Sequence, residues 1–245
     1  MCTVILLRRP GHAWPLLLAA NRDERLDRPW DPPGWHWPHA FGGRDLTAGG
    51  TWMALNQAGV VAAILNRPGT LGPASGKRSR GELPLLALHE PTAEAATRAI
   101  CALPAADWRP FHMVLADARD AFFIAGFGEG QAIAEALGEG VAMVTAHPPN
   151  DLSSPRTARH LPRFQAAAAP DPDAGDWSAW EALLADSGGA TAEALNVPPL
   201  GGFGTVCASL LGLAADGRRI WRFAPGPPDR TPFHALPVQP PAWHA

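Results

Sequence analysis

Apolar and polar positions divide the chain into short strand-like runs separated by turn residues, with a few helical stretches between them. Residues 3–7 form a β-branched and apolar run closed by Pro10-Gly11, and residues 15–20 form a second that ends at Asn21-Arg22-Asp23-Glu24. Runs of this length bounded by turn signals predict a hairpin. Where the second strand continues through the polar tetrapeptide, alternation places Asn21 and Asp23 on one face and Arg22 on the other. Residues 25–39 read as a long Pro-rich loop. Residues 51–55 and 60–65, joined by Asn56-Gln57-Ala58-Gly59, predict a second hairpin ending at Asn66. Residues 111–116 and 121–126 predict a third, residues 131–137 and 141–146 a fourth, and residues 205–211 and 219–223 a last one around Asp216-Gly217.

Helical signals fall between these hairpins. Ser79 is a candidate N-cap for a helix to residue 89, with Glu82 three positions on completing a capping box. Residues 92–102 read as a second, Ala-rich helix. Ser154-Pro155 opens a third that extends to residue 168, with proline at the favoured first position. Residues 177–185 continue helical after Asp176. The order points to an α+β protein with helices covering antiparallel sheets. A single domain over residues 1–245, with a Pro-rich tail at 225–245, accounts for the pattern.

Composition narrows the partners. A hydrophobic content of 47%, a charged content of 18% and a net charge of -3 describe a globular chain with no electrostatic reason to meet nucleic acid. The apolar run at the start is short and ends at Arg8-Arg9, which fits neither a signal peptide nor an integral membrane segment. Cys2, Cys101 and Cys207 are far apart and without CxxC spacing, so no disulfide framework or zinc site is signalled and no metal is expected. The expectation is a cytoplasmic protein.

Cys2 changes the picture most. Removal of Met1 would leave a thiol and a free α-amine on one Cα, which places a nucleophile and its base in one residue. An α-amine titrates at about 7.7–8.0, low enough for a useful neutral fraction at physiological pH. Within the Pro-rich segment, Trp30, Trp35, His36, Trp37 and His39 form the other candidate site: a lid or binding segment for an apolar ligand, or indoles laid over a sheet edge. The glycine pairs Gly42-Gly43 and Gly49-Gly50 do not make a phosphate loop, because no helix with Lys-Ser/Thr follows them.

Several spaced motifs in order resemble the NRDE family, also named after transport and Golgi organisation protein 2. They are Ala19-Ala20-Asn21-Arg22-Asp23-Glu24 with Arg28-Pro29, Gly42-Gly43-Arg44-Asp45, Gly49-Gly50-Thr51-Trp52, the hairpin ending at Asn66, Ser79-Arg80-Gly81 and Gly204-Thr205. The resemblance implies the four-layer αββα sandwich of N-terminal-nucleophile hydrolases, two antiparallel sheets between helical layers. A more distant likeness is to the choloylglycine hydrolase and penicillin V acylase group, carried by Met1-Cys2, Ala20-Asn21-Arg22-Asp23 and Asn56 to Leu65-Asn66. It implies Cys2 as nucleophile, Asp23 orienting the amine or thiol, Asn66 donating to an oxyanion, and Asn21 and Arg22 beside them. The chain departs from that group at Ala20, where an arginine is expected, at Ala146, where a second asparagine is expected, and at Cys207, in the place of a basic residue.

Two functions follow from the resemblance. One is hydrolysis of an amide or related acyl bond through Cys2, needing no cofactor. The other is haem or lipid and acyl-CoA handling without turnover, in which His36 or His39 would reach an iron and the indoles would cover an apolar ligand. Both imply a small apolar or acyl ligand or substrate.

Overall fold

The computed structural model describes residues 2–239. Its strands are β1 (Thr3–Arg8), β2 (Leu16–Arg25), β3 (Trp30–Trp37), β4 (Ala40–Asp45), β5 (Met53–Asn56), β6 (Val61–Asn66), β7 (Phe111–Ala116), β8 (Ala121–Gly126), β9 (Ile133–Ala136), β10 (Gly140–Val144), β11 (Phe203–Leu213), β12 (Arg219–Ala224) and β13 (His234–Ala235). The helices are α1 (Glu82–Ala87), α2 (Ala93–Cys101), α3 (Pro155–Ala166) and α4 (Ser178–Leu184). They make two compact units, one of residues 2–28 with 139–237, the other of residues 29–138 with 238–239. Each unit is built on one antiparallel sheet, as the α+β pattern predicts. No helix among the described residues is long and apolar enough to cross a membrane.

In the first unit the strand order is β10-β1-β2-β11-β12-β13. Alternate residues of β1 and β2 (Ile5, Leu17, Ala19) join Leu161 and Phe164 of α3 and Trp180 and Leu184 of α4 in one core. Phe164 and Trp180 meet edge to face at 5.4 Å, the geometry their quadrupoles favour. Helix α3 starts where its sequence says: Ser154 Oγ accepts from Thr157 N, Pro155 holds the first position, and the helix continues past Pro162.

The second unit has the order β3-β4-β5-β6-β7-β8-β9. Helices α1 and α2 bury Leu83, Ala87, Ala96 and Ile100 against Ala62, Met113, Leu115 and Ile124. Thr92 caps α2 through Ala95 N at 3.1 Å.

Three expectations are corrected. Residues 25–39 are not a loop: β2 runs to Arg25 and Trp30–Trp37 is strand β3. Its prolines are tolerated because β3 is the sheet's edge and Pro32-Pro33 lie where the register with β4 shifts, between Asp31 and Gly34. The fourth hairpin does not exist. Strand β9 is exposed throughout and pairs with β8, whereas the apolar β10 pairs with β1 in the other sheet. Helix α1 begins at Glu82 without a side-chain cap, because its N-cap is Gly81 and Ser79 Oγ instead accepts from Gly81 N at 3.3 Å, while Glu82 pairs with Arg78 at 2.8 Å.

The glycine motifs are close-packing devices. A Cβ on Gly42 would fall 2.4 Å from Ala54 Cβ and 2.5 Å from Met53 O on the paired strand, and one on Gly50 would fall 2.4 Å from the carbonyl carbon of Gly81. Thr51 N donates to Gly81 O at 2.9 Å, so two separate sequence motifs meet backbone to backbone. Gly42→Ala is therefore expected to destabilise the chain by about 1–3 kcal/mol through overpacking, read as a lowered urea midpoint with an unchanged slope.

Candidate active site

Cys2 precedes the first residue of β1 and is partly exposed. Thr3 lies opposite Asn21, so the next row sets Cys2 beside Arg22, and on its other side Arg22 pairs with Cys207 of β11. The Cys2 thiol lies 3.6 Å from the main-chain carbonyl of Asp23. Burial first, and the negative charge of Asp23 second, push its pKa above the ordinary thiol range, with Arg22 opposing. The resting group is a protonated thiol that needs a base. Cys207 is fully buried, and desolvation above all pushes its thiol up to about 12, which makes it a packing residue.

β2 stays extended through the whole polar tetrapeptide, and the alternation holds. Paired residues share a face, and Thr3, Asn21, Asp23 and Thr205 all reach the face covered by α3 and α4, while Arg22 and Cys207 share the other. A bulge at Val206 makes this arrangement possible. It lets Thr205 oppose Asp23 and Cys207 oppose Arg22, a pairing that unbroken register would shift by one residue.

The Asp23 carboxylate is completely buried and held from two sides. Arg156 Nη1 of α3 donates to Oδ2 at 3.0 Å, and Thr205 Oγ1 donates to Oδ1 at 2.6 Å. Arg156 Nη1 also donates to Thr3 Oγ1 at 3.1 Å, and Thr205 Oγ1 accepts from Val197 N at 2.7 Å. Three strands and a helix thus converge on one carboxylate directly behind the thiol. Asn21 is buried too. Both N–H bonds of its amide are engaged, by Leu184 O and Leu195 O at 3.0 Å each, so it ties β2 to the end of α4 and has no donor left for a substrate.

Arg156 and the role of Thr205 were not read from the sequence. The signal for Arg156 was available: it lies on the stripe of α3 that also buries Thr157, His160, Leu161 and Phe164, where a cation must find an acid.

The remaining candidates lie in the second unit. Asn66 is the last residue of β6, opposite Phe111. Trp30 packs edge-on to Trp52 and Trp35 to Phe41, each at 5.7 Å, and Trp35 Nε1 donates to Gln239 O at 3.0 Å. Trp37 meets the His36 ring at 5.7 Å, and His36 Nε2 lies 2.9 Å from Pro32 O. His39 Nε2 lies 3.1 Å from Leu85 O, and its ring stacks on His89 at 3.9 Å. Burial and the neighbouring His89 both lower the His39 pKa, the burial effect being larger. No group of three or more His, Cys, Asp or Glu side chains among the described residues is arranged to hold a metal. At Asn150, in a left-handed conformation, the side-chain Oδ1 accepts from Met143 N at 2.8 Å, which fixes the turn after β10.

Comparison with known proteins bears on the whole chain. Among solved structures it is similar to a Caenorhabditis elegans ortholog of N-acylethanolamine-hydrolyzing acid amidase, at TM-score 0.60 and 12% identity over 96% of this chain and 100% of that one. It is similar to two variants of the conjugated bile acid hydrolase of Clostridium perfringens: a cysteine-to-alanine mutant at TM-score 0.52, with 11% identity over 98% of this chain and 97% of that one, and an arginine-to-leucine variant at TM-score 0.54, with 11% identity over 97% of each chain. These likenesses establish the N-terminal-nucleophile hydrolase fold. No curated protein sequence matches the chain. The family model for Transport and Golgi organisation 2 matches residues 1–170, well over half of the chain, and the protein belongs to that family.

Proposed function

We propose that the protein hydrolyses an amide bond of an N-acyl substrate, with Cys2 as nucleophile after removal of Met1. The observation that carries the reading is the thiol of Cys2 set against the main chain of Asp23, whose side chain is locked by Arg156 and Thr205. Similarity of fold to hydrolases named for N-acylethanolamines and conjugated bile acids supports a carbon–nitrogen acyl bond as the target.

In this scheme the α-amine of Cys2 takes the thiol proton and Sγ attacks the acyl carbon. Collapse of the tetrahedral adduct expels the amine, which leaves with that proton, and the acyl group remains on Sγ as a thioester. Water then attacks the thioester, its proton passes through the α-amine to Sγ, and the carboxylic acid departs. The raised thiol pKa gives this intraresidue base its purpose, because without one little thiolate exists near neutrality. Asp23 fixes the strand end and supplies the negative field that stabilises the ammonium formed.

A haem or acyl-ligand carrier built on Trp30, Trp35, His36, Trp37 and His39 has less support. The indoles are packed on their own sheet, and each histidine Nε2 faces a backbone carbonyl that it would have to leave to bind iron.

The base assignment has a pH signature. With Met1 removed, acylation of Cys2 should rise with pH and level off as the amine deprotonates, at about 7.7–8.0. In a chain with an uncleaved N-terminal extension it should climb about tenfold per unit through pH 8.5, where an ordinary thiol levels off. Rates by mass spectrometry from pH 6 to pH 9.5 check this; identical profiles for the two chains would remove the amine from the mechanism. The clamp has a stability signature. Arg156→Ala and Asp23→Ala should each lower stability by about 3–5 kcal/mol, because each leaves a buried charge alone, and the double variant should lose well under the two losses combined. Urea denaturation of the four chains measures the coupling.

A further inference from the structure

A cavity of about 440 Å³ lies in the first unit, between α4, β12 and residues 228–233. That volume is within the range of sites that hold small molecules. Cys2 and Asp23 do not line it, and in the sheet β2 and β11 stand between β1 and β12, so the candidate active site makes no use of it. Ala182, Ala185 and Phe233 give it apolar walls, and Glu181, Arg222 and Thr231 bring polar groups to the same space.

Arg222 and Glu181 fix each other. Arg222 Nη2 donates to Glu181 Oε1 at 3.1 Å and reaches Phe233 O at 3.5 Å, while Nε is buried without an acceptor among the described residues. The guanidinium is thus held along one edge, and Nη1, on the other, bonds to no described residue. Neither do Glu181 Oε2 and Thr231 Oγ1. The two charged side chains are 25% and 31% exposed, so these atoms stay within reach of a ligand.

We propose that this cavity binds a small neutral amide carrying an apolar group. One open donor and one open acceptor, on a pair whose charges cancel, are complementary to a group that accepts and donates at once. A carboxamide does both: its C=O accepts from Arg222 Nη1 and its N–H donates to Glu181 Oε2, each bond strengthened by the charge on the protein side. A carboxylate in the same place would meet Glu181, and an ammonium would meet Arg222, so either ion faces a like charge. The apolar walls suit a ring or short chain on the amide carbon. The site does not depend on Cys2 chemistry.

Titration of the ¹⁵N-labelled chain with benzamide, sodium benzoate or benzylamine hydrochloride at neutral pH and matched ionic strength, followed in amide correlation spectra, tests it. The three probes share a ring and differ in charge. Benzamide should shift the amide signals of Ala182, Ala185, Arg222 and Phe233 saturably, at least fivefold more tightly than either ion, and equally in Cys2→Ala. In Glu181→Gln benzamide should weaken and the preference turn towards benzoate, because the arginine then keeps an uncancelled charge. No saturable shift at these residues, equal affinity for the three probes, or an order of preference unchanged in Glu181→Gln would overturn the site. Shifts confined to Asn21, Arg22 and Asp23 would place the amide at Cys2 instead and overturn it equally. Where the variant does not fold, the order of the three probes on the unmodified sequence decides alone.

Discussion

A carboxylate with no access to water cannot remain charged without partners, and in the first unit everything near the N-terminus is arranged to satisfy Asp23. Arg156 answers its charge from α3 and Thr205 its second oxygen from β11. Each of these has its own requirement. Arg156 needs α3 to start at Ser154-Pro155, and Thr205 needs the bulge at Val206 to bring it opposite Asp23. Replacing the pair with apolar residues would not necessarily weaken the fold, since buried ion pairs are poor sources of net stability. What the pair gives is position: it fixes the strand end whose carbonyl touches the Cys2 thiol.

Position matters because the thiol itself is inert at rest. Burial and the Asp23 charge both favour the protonated form, so the site is a poor general thiolate and a good match for a nucleophile that carries its own amine. Ala20 lies on the face of β2 that it shares with Arg22, opposite the Arg156–Asp23 pair. Cys207, in the place of a basic residue, fills space beside Arg22 and titrates far from neutrality.

The hairpins were legible because alternation and turn residues agree in them, and β7 and β8 fall on the predicted residues. So was the split of Asn21 and Asp23 from Arg22, which follows from the pleat alone. What failed depended on tertiary context. Prolines in β3 mimic a loop because sequence does not reveal that a strand lies at an edge. Strands β9 and β10 looked like a hairpin because proximity in sequence cannot show that two strands join different sheets. The contacts of Asn21 were equally out of reach, since the carbonyls of Leu184 and Leu195 that its amide engages are more than 160 residues away along the chain. Arg156 was missed for the same reason, its partner lying 133 residues earlier. The glycine motifs were visible as motifs, but their purpose, backbones in contact at Gly50 and Gly81, is a three-dimensional fact.

Catalysis by Cys2 requires a free N-terminal cysteine, and intact-mass spectrometry of the purified protein before and after a dilute thiol-selective acyl electrophile, beside Cys2→Ala, tests this most directly. Loss of Met1 with a single fast adduct that disappears in the variant is the predicted result. Retained Met1, or slow labelling shared among Cys2, Cys101 and Cys207, would contradict it.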